Sequence, residues 1–382
     1  MKRIIAALVL SALLPAMVLA ASGEALDVPV KSAVLMDVAT GTVLYEKNAH
    51  EPLAPASVTK IMTMLLIMEA IDSGTLNYRD TVTASEAAAQ KGGSQVYLKA
   101  GEQMSVEEML KSIAVSSAND CACAMAEHLS GSEGAFVERM NQKAQELSMK
   151  DTHFVNCTGL DDSPEAKDHK TSAYDVALMS RELLGKHPDI RKFTTIWMDT
   201  IRNGTFGLSN TNKLIRFYPG ATGLKTGFTS GAGYCLSASA RRENLELIAV
   251  TMGAESSKIR NAACKAMLDY GFAGFALVCP NLEESIQVPV RLGTEAGVDV
   301  ALQGDASVLI PKAQKAGLTR ELQLEEFCTA PVEKGARLGT LTLRSGEETL
   351  LEVPLVAARE VKRKTFRDWL LLVLRKASMA KT

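Results

Sequence analysis

The stretch PASVTKIMTMLLIM, residues 55–68, predicts a helix that is apolar nearly all the way round. A helix without a polar face is expected to be buried. Lys60 nevertheless lies one turn into this helix, three residues after Ser57. Burial of an ammonium group is costly unless a partner compensates it, so a lysine at this position needs a physical explanation.

The spacing of Ser57 and Lys60 offers one explanation. Side chains three residues apart lie on the same helical face. A buried lysine has a lowered pKa, and a neutral amine beside a hydroxyl is a general base for a nucleophilic serine. Free backbone N–H groups at the start of the helix would stabilise an oxyanion. The alternative is that Ser57 only caps the helix and that Lys60 extends to solvent.

Two downstream triplets favour the chemical interpretation. Ser-Ala-Asn at 117–119 falls at a predicted break between helices, and Lys-Thr-Gly at 225–227 falls in a predicted strand. Each triplet alone is compatible with a capped helix break or with a strand that carries a solvated lysine. The ordered set S-x-x-K, S-x-N, K-T-G is more specific, since S-x-x-K with S-D-N and K-T-G marks penicillin-binding proteins and class A β-lactamases.

The hydrophobic pattern predicts an α+β fold. A β-hairpin precedes the opening helix, amphipathic helices follow, and from Gly223 the period changes to two over three sequential antiparallel strands, before a last helix. This order predicts a helical block between the strands of one antiparallel sheet. Beyond a boundary near residue 278, short strands punctuated by glycine and charge predict a small all-β domain.

Both ends of the chain carry location signals. Residues 1–20 combine Lys2 and Arg3 with an apolar run and a small-residue cleavage pattern, which predicts a secretory signal peptide and an exported chain. Residues 359–382 hold eight basic and two acidic residues and predict an amphipathic helix. Its apolar face would lie on an anionic membrane surface, and the alternative is packing on the protein or a partner. The residues of this face are Phe366, Trp369, Leu370 and Val373.

Charge and composition exclude several classes of protein. The formal net charge of −2 hides a basic tail on an acidic body, which argues against nucleic acid as a partner. The seven cysteines and five histidines show no metal-ligand spacing, so we expect no metal and no other cofactor. The histidines, His169 among them, are interpreted as structural or surface residues. An odd number of cysteines indicates mostly free, buried thiols.

The chain resembles the serine-type D-alanyl-D-alanine carboxypeptidases, low-molecular-weight penicillin-binding proteins of the S11-like peptidases. The resemblance rests on the three motifs and on stretches such as LMDVATGTVLYEKNAH, THFVNCTGLDD and MGAESSKIRNAACKAMLDYGF. It implies removal of the terminal D-Ala from peptidoglycan stem peptides through an acyl-enzyme on Ser57, with β-lactams acylating the same serine. It also implies a place at the outer face of the cytoplasmic membrane.

The domain organisation follows from the resemblance together with the chain pattern. We expect a β-lactamase/transpeptidase-like catalytic domain, an all-β domain and a membrane-anchoring helix. The expected bounds are 1–20 for the signal peptide, 21–277 for the catalytic domain, 278–358 for the β domain and 359–382 for the anchor.

The resemblance implies a role for each motif residue. Ser57 would be the nucleophile and Lys60 its base, while Ser117 would relay a proton between the amine and the leaving group. Asn119 would hold the backbone amide of the substrate. Lys225 would keep the site electropositive.

The substrate-binding edge is implied in the same way. The backbone N–H groups of Ser57 and Phe228 would form the oxyanion hole, and Thr226 and Arg260 would hold the terminal carboxylate. Arginine suits this task because it binds carboxylates bidentately. The strand that contains Gly227 would dock the extended substrate, with glycine leaving room for close backbone approach.

Two other functions use the same residues. A D,D-endopeptidase would cut cross-links instead of terminal D-Ala, and a β-lactam or wall-fragment sensor would remain acylated. The complete set of motif residues disfavours the sensor, because a receptor needs no efficient deacylation. Ala118 replaces the aspartate of the S-D-N triplet, which suits a carboxypeptidase better than a β-lactamase.

Overall fold

The protein is described by a computed structural model over residues 26–282, 285–304 and 306–371. The predicted signal peptide and the end of the predicted anchor lie outside these residues. The strands are β1 (Ser32–Asp37), β2 (Val43–Lys47), β3 (Thr81–Thr83), β4 (Gln103–Ser105), β5 (Met198–Ile201), β6 (Phe206–Ser209), β7 (Ala221–Thr229), β8 (Gly233–Arg242), β9 (Leu245–Ala254), β10 (Phe275–Val278), β11 (Gln287–Arg291), β12 (Gly297–Leu302), β13 (Val308–Pro311), β14 (Leu318–Leu324), β15 (Cys328–Thr329), β16 (Arg337–Ser345) and β17 (Glu348–Ala357). The α-helices are α1 (Lys60–Asp72), α2 (Glu86–Ala89), α3 (Val106–Ser116), α4 (Asn119–Ser130), α5 (Glu133–Glu146), α6 (Ala173–Lys186), α7 (Arg191–Thr194), α8 (Leu214–Phe217) and α9 (Ser257–Gly274).

The central sheet has five antiparallel strands in the order β2-β1-β9-β8-β7. Helices α1 to α8 come between β2 and β7 in the chain, so the predicted α+β arrangement with an inserted helical block is confirmed. Strand β7 forms one edge of the sheet. An edge strand presents backbone groups that can pair with another extended chain.

The sheet is buried on both faces, and β1 shows why. Val34 and Met36 pack into the core under the helical block, whereas Ala33 and Leu35 pack into the core under α9. Alternating side chains point to opposite faces of a strand, so a strand covered on both sides is apolar throughout. Helix α1 lies inside the first of these cores, with every residue from Lys60 to Met68 buried.

The second part of the chain is a separate β structure, as predicted. Six strands form a sheet in the order β14-β16-β17-β12-β11-β15, in which β11 and β15 are parallel. Its apolar core is distinct from the two cores around the first sheet. Strand β10, which follows α9 directly, pairs with β13, so a two-stranded ribbon crosses the position where the sequence predicts a boundary.

The C-terminal segment differs from the sequence expectation at its start. Val361 is buried and exchanges two backbone hydrogen bonds with Val332, and Arg363 bridges to Gly293. Residues up to 364 therefore continue the β structure, and helix is described only over 366–371. Within that helix Phe366 is 83% exposed. Val373, the last residue of the predicted apolar face, lies outside the described residues.

Two smaller findings concern membranes and thiols. Within the described ranges, no helix has both the length and the hydropathy needed to cross a membrane. All seven cysteines are free, and five of them are buried, as the odd number indicated.

Candidate active site

Ser57 lies in a single 3-10 turn, Ala56–Thr59, that leads into α1. Ala56 adopts a left-handed backbone with φ of 49°, a conformation that costs a non-glycine residue about 1–2 kcal/mol. Thr59 is the N-cap of α1, and Pro55 precedes the turn without a capping side chain. The simple capping interpretation of Ser57 therefore does not apply, and its side chain is left half-buried beside Lys60.

Lys60 is completely buried, so the alternative in which it extends to solvent is wrong. Its Nζ donates to Ser57 Oγ at 2.9 Å and to the carbonyl oxygen of Thr158 at 2.8 Å. Burial lowers the pKa of Lys60 from its ordinary 10.5 to about 7. A neutral amine within hydrogen-bonding distance of a hydroxyl meets the geometric requirement for a general base.

Ser117 occupies the break between α3 and α4. It is in the left-handed region with φ of 64°, and it is 4% exposed. Among the described residues, the hydrogen bonds of Lys60 Nζ go to Ser57 and Thr158, so Ser117 Oγ is not bonded to the amine. The break is tied to the K-T-G strand through Thr211, which donates from its backbone to Val115 and accepts from Thr226 Oγ1 at 2.7 Å.

Within the described part of the chain, Asn119, the first residue of α4, uses its side-chain nitrogen in a hydrogen bond but not its side-chain oxygen. Its Nδ2 donates to the carbonyl oxygen of Gly92 at 2.7 Å, and its backbone N–H donates to Ser94. Its Oδ1 is buried and has no hydrogen-bond partner among the described residues. A buried polar atom without a partner is costly, and an amide donor from a ligand would satisfy it.

Strand β7 supplies the K-T-G residues. Lys225 is buried, and its Nζ donates to the carbonyl oxygen of Thr226 at 2.9 Å. Burial, together with the charges of Lys60 and Arg260, holds the pKa of Lys225 well below its ordinary value. Arg260 keeps its charge, donates to the neutral Asn261 Oδ1, and has no carboxylate partner among the described residues. This unpaired guanidinium makes the site suited to an anionic ligand.

The Tyr234 ring contacts residues of both β7 and α9. Phe228 is 53% exposed and stacks on Tyr234 with ring centroids 4.3 Å apart. The Arg260 guanidinium also lies over the Tyr234 ring, 5.8 Å from its centre. Cation–π contacts of this kind hold a guanidinium in place. Tyr234 thus links Phe228 to Arg260, which the sequence pattern did not indicate.

Sequence reasoning missed three further residues around the site. Asp120 accepts the backbone N–H groups of Val96 and Leu98 and so fixes a loop beside Asn119. Thr158 supplies the second acceptor for Lys60. His169, interpreted from sequence only as structural or surface, is 3% exposed and contacts the turn that carries Ser57. No motif marks these positions, because each acts through a contact between distant parts of the chain.

Two family models match different parts of the chain. Residues 19–256 match the family described as D-alanyl-D-alanine carboxypeptidase, and residues 283–363 match the C-terminal domain of penicillin-binding protein 5. The chain belongs to the D-alanyl-D-alanine carboxypeptidase family. It is 46% identical to the D-alanyl-D-alanine carboxypeptidase DacF of Bacillus subtilis, over 89% of this chain and 88% of DacF.

Solved structures show the same fold. Penicillin-binding protein 5 from Haemophilus influenzae superimposes with a TM-score of 0.73 at 29% identity, covering 89% of this chain and 99% of that one. Penicillin-binding protein D2 from Listeria monocytogenes, in its ampicillin-bound form, gives a TM-score of 0.59 at 29% identity. That match covers 65% of this chain and 99% of the Listeria protein.

Proposed function

We propose that this protein is a serine D,D-carboxypeptidase that removes the terminal D-Ala from peptidoglycan stem peptides. The observation that carries the proposal is the hydrogen bond between Lys60 Nζ and Ser57 Oγ, formed by a buried amine whose pKa is near neutrality. Membership of the D-alanyl-D-alanine carboxypeptidase family supports the substrate class. The carboxypeptidase name of DacF, at 46% identity, supports it as well.

In the acylation step, Ser57 Oγ attacks the carbonyl carbon between the two D-Ala residues while its proton passes to Lys60 Nζ. The bond to the leaving D-Ala then breaks, and its nitrogen takes up a proton, with Ser117 as the relay from the amine. The product is an ester on Ser57. The transfer of the Ser57 proton requires Lys60 to be neutral before the attack, and the burial of Lys60 favours its neutral form.

Two backbone N–H groups stabilise the oxyanion in this account, those of Ser57 and Phe228. The closeness of β7 to the nucleophilic turn supports the assignment, since a β-carbon on Gly227 would lie 3.1 Å from the nitrogen of Ser57. Donors fixed before the reaction lower the barrier because they need no reorganisation. Deacylation reverses the roles, as Lys60 accepts a proton from the attacking water and returns it to Ser57 Oγ.

Substrate binding uses the edge strand and the cationic groups. The extended peptide pairs with β7, the edge of the central sheet, and its amide N–H donates to the free Oδ1 of Asn119. The terminal carboxylate lies near Thr226 and Arg260, and its negative charge favours the protonated form of Lys225. Charge complementarity supports this orientation, because the buried Arg260 guanidinium donates to the neutral Asn261 Oδ1 and has no carboxylate partner among the described residues.

β-Lactams acylate the same serine in our proposal. The ampicillin-bound form of the related Listeria protein supports it. The test is labelling with a fluorescent penicillin, followed by mass mapping of the modified peptide. We expect one adduct on Ser57 and none in Ser57→Ala. An adduct on another residue, or labelling that persists in Ser57→Ala, would show that the nucleophile is assigned wrongly.

We further propose that the chain is exported and held at an anionic membrane surface by its C-terminal helix. Support comes from the apolar side chains exposed along 366–371, among them Phe366 and Leu370, and from the basic composition of the tail. A truncation after Thr365 leaves the buried Val361 in place. We expect the full protein to float with phosphatidylglycerol vesicles and the truncated one not to. Equal flotation of both would remove the anchor from the account.

A further inference from the structure

His169 uses both ring nitrogens to connect two segments of the chain. Its Nδ1 accepts backbone N–H groups of Val155 at 3.1 Å and Asn156 at 3.4 Å. Its Nε2 lies 2.8 Å from Thr59 Oγ1, and Thr59 Oγ1 donates to the carbonyl oxygen of Ala56 at 2.8 Å. Because Nδ1 accepts and the hydroxyl proton goes to Ala56, Nε2 must carry the proton and donate to Thr59.

On the Thr59 side, this series of hydrogen bonds ends at the turn that carries the nucleophile. Ala56, its last acceptor, has the left-handed φ of 49° and directly precedes Ser57. Backbone strain of this kind persists only where the surroundings enforce it. Thr59 Oγ1 holds the Ala56 carbonyl group from within the turn, and His169 fixes the orientation of the Thr59 hydroxyl.

The other end of this series of hydrogen bonds is the segment that accepts a hydrogen bond from Lys60. Val155 and Asn156 lead into Thr158, whose carbonyl oxygen accepts from Lys60 Nζ. Gly159 packs its backbone against the turn, since a β-carbon there would lie 1.8 Å from the carbonyl oxygen of Ala56. The segment 155–159 and the turn therefore share one tightly packed contact, and His169 is hydrogen-bonded to both sides of it.

We propose that His169 is a positioning residue for acylation, a neutral imidazole that fixes the Ser57 turn and the Lys60 acceptor relative to each other. The inference rests on the proposed function, since it concerns the reactivity of Ser57. His169 touches neither the substrate nor the reacting atoms, and it acts through Thr59 on one side and the 155–158 backbone on the other.

The surroundings keep the imidazole in the required form. Burial, with the charges of His153 and Lys60, lowers the pKa of His169 to about 4. The edge of its ring contacts Phe154, with centroids 5.6 Å apart. A proton on Nδ1 would face two N–H donors instead of serving as their acceptor. The neutral tautomer is therefore maintained over the range in which Lys60 titrates.

A structural core histidine would also be buried and hydrogen-bonded, so the test must separate positioning from folding. His169→Asn keeps an acceptor for the Val155 N–H, but its side chain is too short to place a donor where Nε2 contacts Thr59. Thr59→Val removes the hydroxyl that joins the two ends, and Thr59→Ser retains it. The readouts are the second-order acylation rate constant with a fluorescent penicillin and the melting temperature of each variant.

We expect His169→Asn and Thr59→Val each to acylate about 10-fold or more slowly than wild type, because small misplacements of reacting groups are costly in rate. The double variant should be about as slow as Thr59→Val alone, since both changes interrupt one chain of contacts. Thr59→Ser should acylate at nearly the wild-type rate. Rate losses that multiply in the double variant, or wild-type acylation by His169→Asn, would overturn the inference.

Two controls complete the design. A slow rate that follows a loss of folded protein in His169→Asn, measured by circular dichroism, would assign the residue to folding and overturn positioning. Wild-type protein and Ser57→Ala are labelled in parallel. Failure of wild type to react with penicillin would defeat the proposed function itself, whereas normal wild-type labelling with normal His169→Asn labelling would defeat only the role of His169.

Discussion

Gly227 approaches Pro55 so closely that a β-carbon on the glycine would lie 2.6 Å from the carbonyl oxygen of the proline. This contact joins the K-T-G strand to the turn that carries Ser57, and both sides of it are backbone. A side chain at position 227 would push β7 and the turn apart. The K-T-G strand can therefore pack against the S-x-x-K turn only with glycine at position 227.

Gly227→Ala is expected to separate β7 from the nucleophilic turn. Forcing a methyl group into this contact should lower the free energy of unfolding by about 1–3 kcal/mol. It should also slow penicillin acylation strongly, because the oxyanion donors move apart. Gly207→Ala is the matched control, since a β-carbon at Gly207 in β6 meets nothing within 4 Å. Equal acylation by both variants would contradict the close-contact account.

The acylation rate should depend on the protonation of Lys60. Its pKa of about 7 predicts that the rate with penicillin rises as the pH increases through neutrality and then levels off. Stopped-flow measurement across this range gives the apparent pKa directly. A rate that still rises steeply towards the ordinary lysine pKa would mean that burial does not prepare the amine as a base.

The free energy of unfolding should also depend on the titration of Lys60, and it should rise with pH. The pKa of Lys60 is about 7 in the folded chain and near its ordinary 10.5 in the unfolded chain. Between these values only the unfolded chain holds the proton, so the free energy of unfolding rises with pH over this window. Relative to Lys60→Met, wild type should gain up to about 1.4 kcal/mol per pH unit.

Urea unfolding of wild type and Lys60→Met at neutral and alkaline pH measures this gain. Lys225 is present in both proteins, so its own titration affects both curves. A stability difference that stays constant with pH would indicate that folded Lys60 titrates near its ordinary value, against the account of a buried, neutralised base.

Asn119→Ala should reduce turnover more than stability. The variant loses the Oδ1 acceptor proposed for the substrate amide, and the loss of one such hydrogen bond predicts a kcat/KM about 10- to 100-fold lower. Among the described residues, the folded state loses one side-chain hydrogen bond, from Nδ2 to Gly92, while the buried, unpartnered Oδ1 disappears. Steady-state kinetics with a D-Ala-D-Ala peptide and thermal unfolding provide the comparison. An unchanged kcat/KM would exclude Asn119 from substrate binding.

The arrangement of the first domain and the closeness of Ser57 and Lys60 followed from the sequence, because local patterns determine both. Alternation and helical periodicity predicted the sheet with its inserted helices, and S-x-x-K spacing brought Ser57 and Lys60 together. The left-handed Ala56 could not be predicted, since alanine seldom adopts this conformation. A 3-10 turn therefore stands where the sequence indicated the start of the α-helix.

The contacts of Thr158 and His169 were beyond sequence reasoning for a different reason. Thr158 meets Lys60 across 98 residues, and His169 meets Thr59 across 110 residues. No local pattern records such pairings, which depend on how the 155–169 segment packs on the start of α1. The same limitation applies to the C-terminal tail, where Val361 belongs to the β structure because of its long-range bridge to Val332.

The carboxypeptidase activity is measured most directly as release of free D-Ala from a peptide that ends in D-Ala-D-Ala, by wild type and by Ser57→Ala. A peptide that ends in D-Ala-L-Ala serves as the substrate control. We predict stoichiometric release of one D-Ala per D,D-peptide by wild type and none by Ser57→Ala. Absence of release by wild-type protein that still binds penicillin would contradict the carboxypeptidase function.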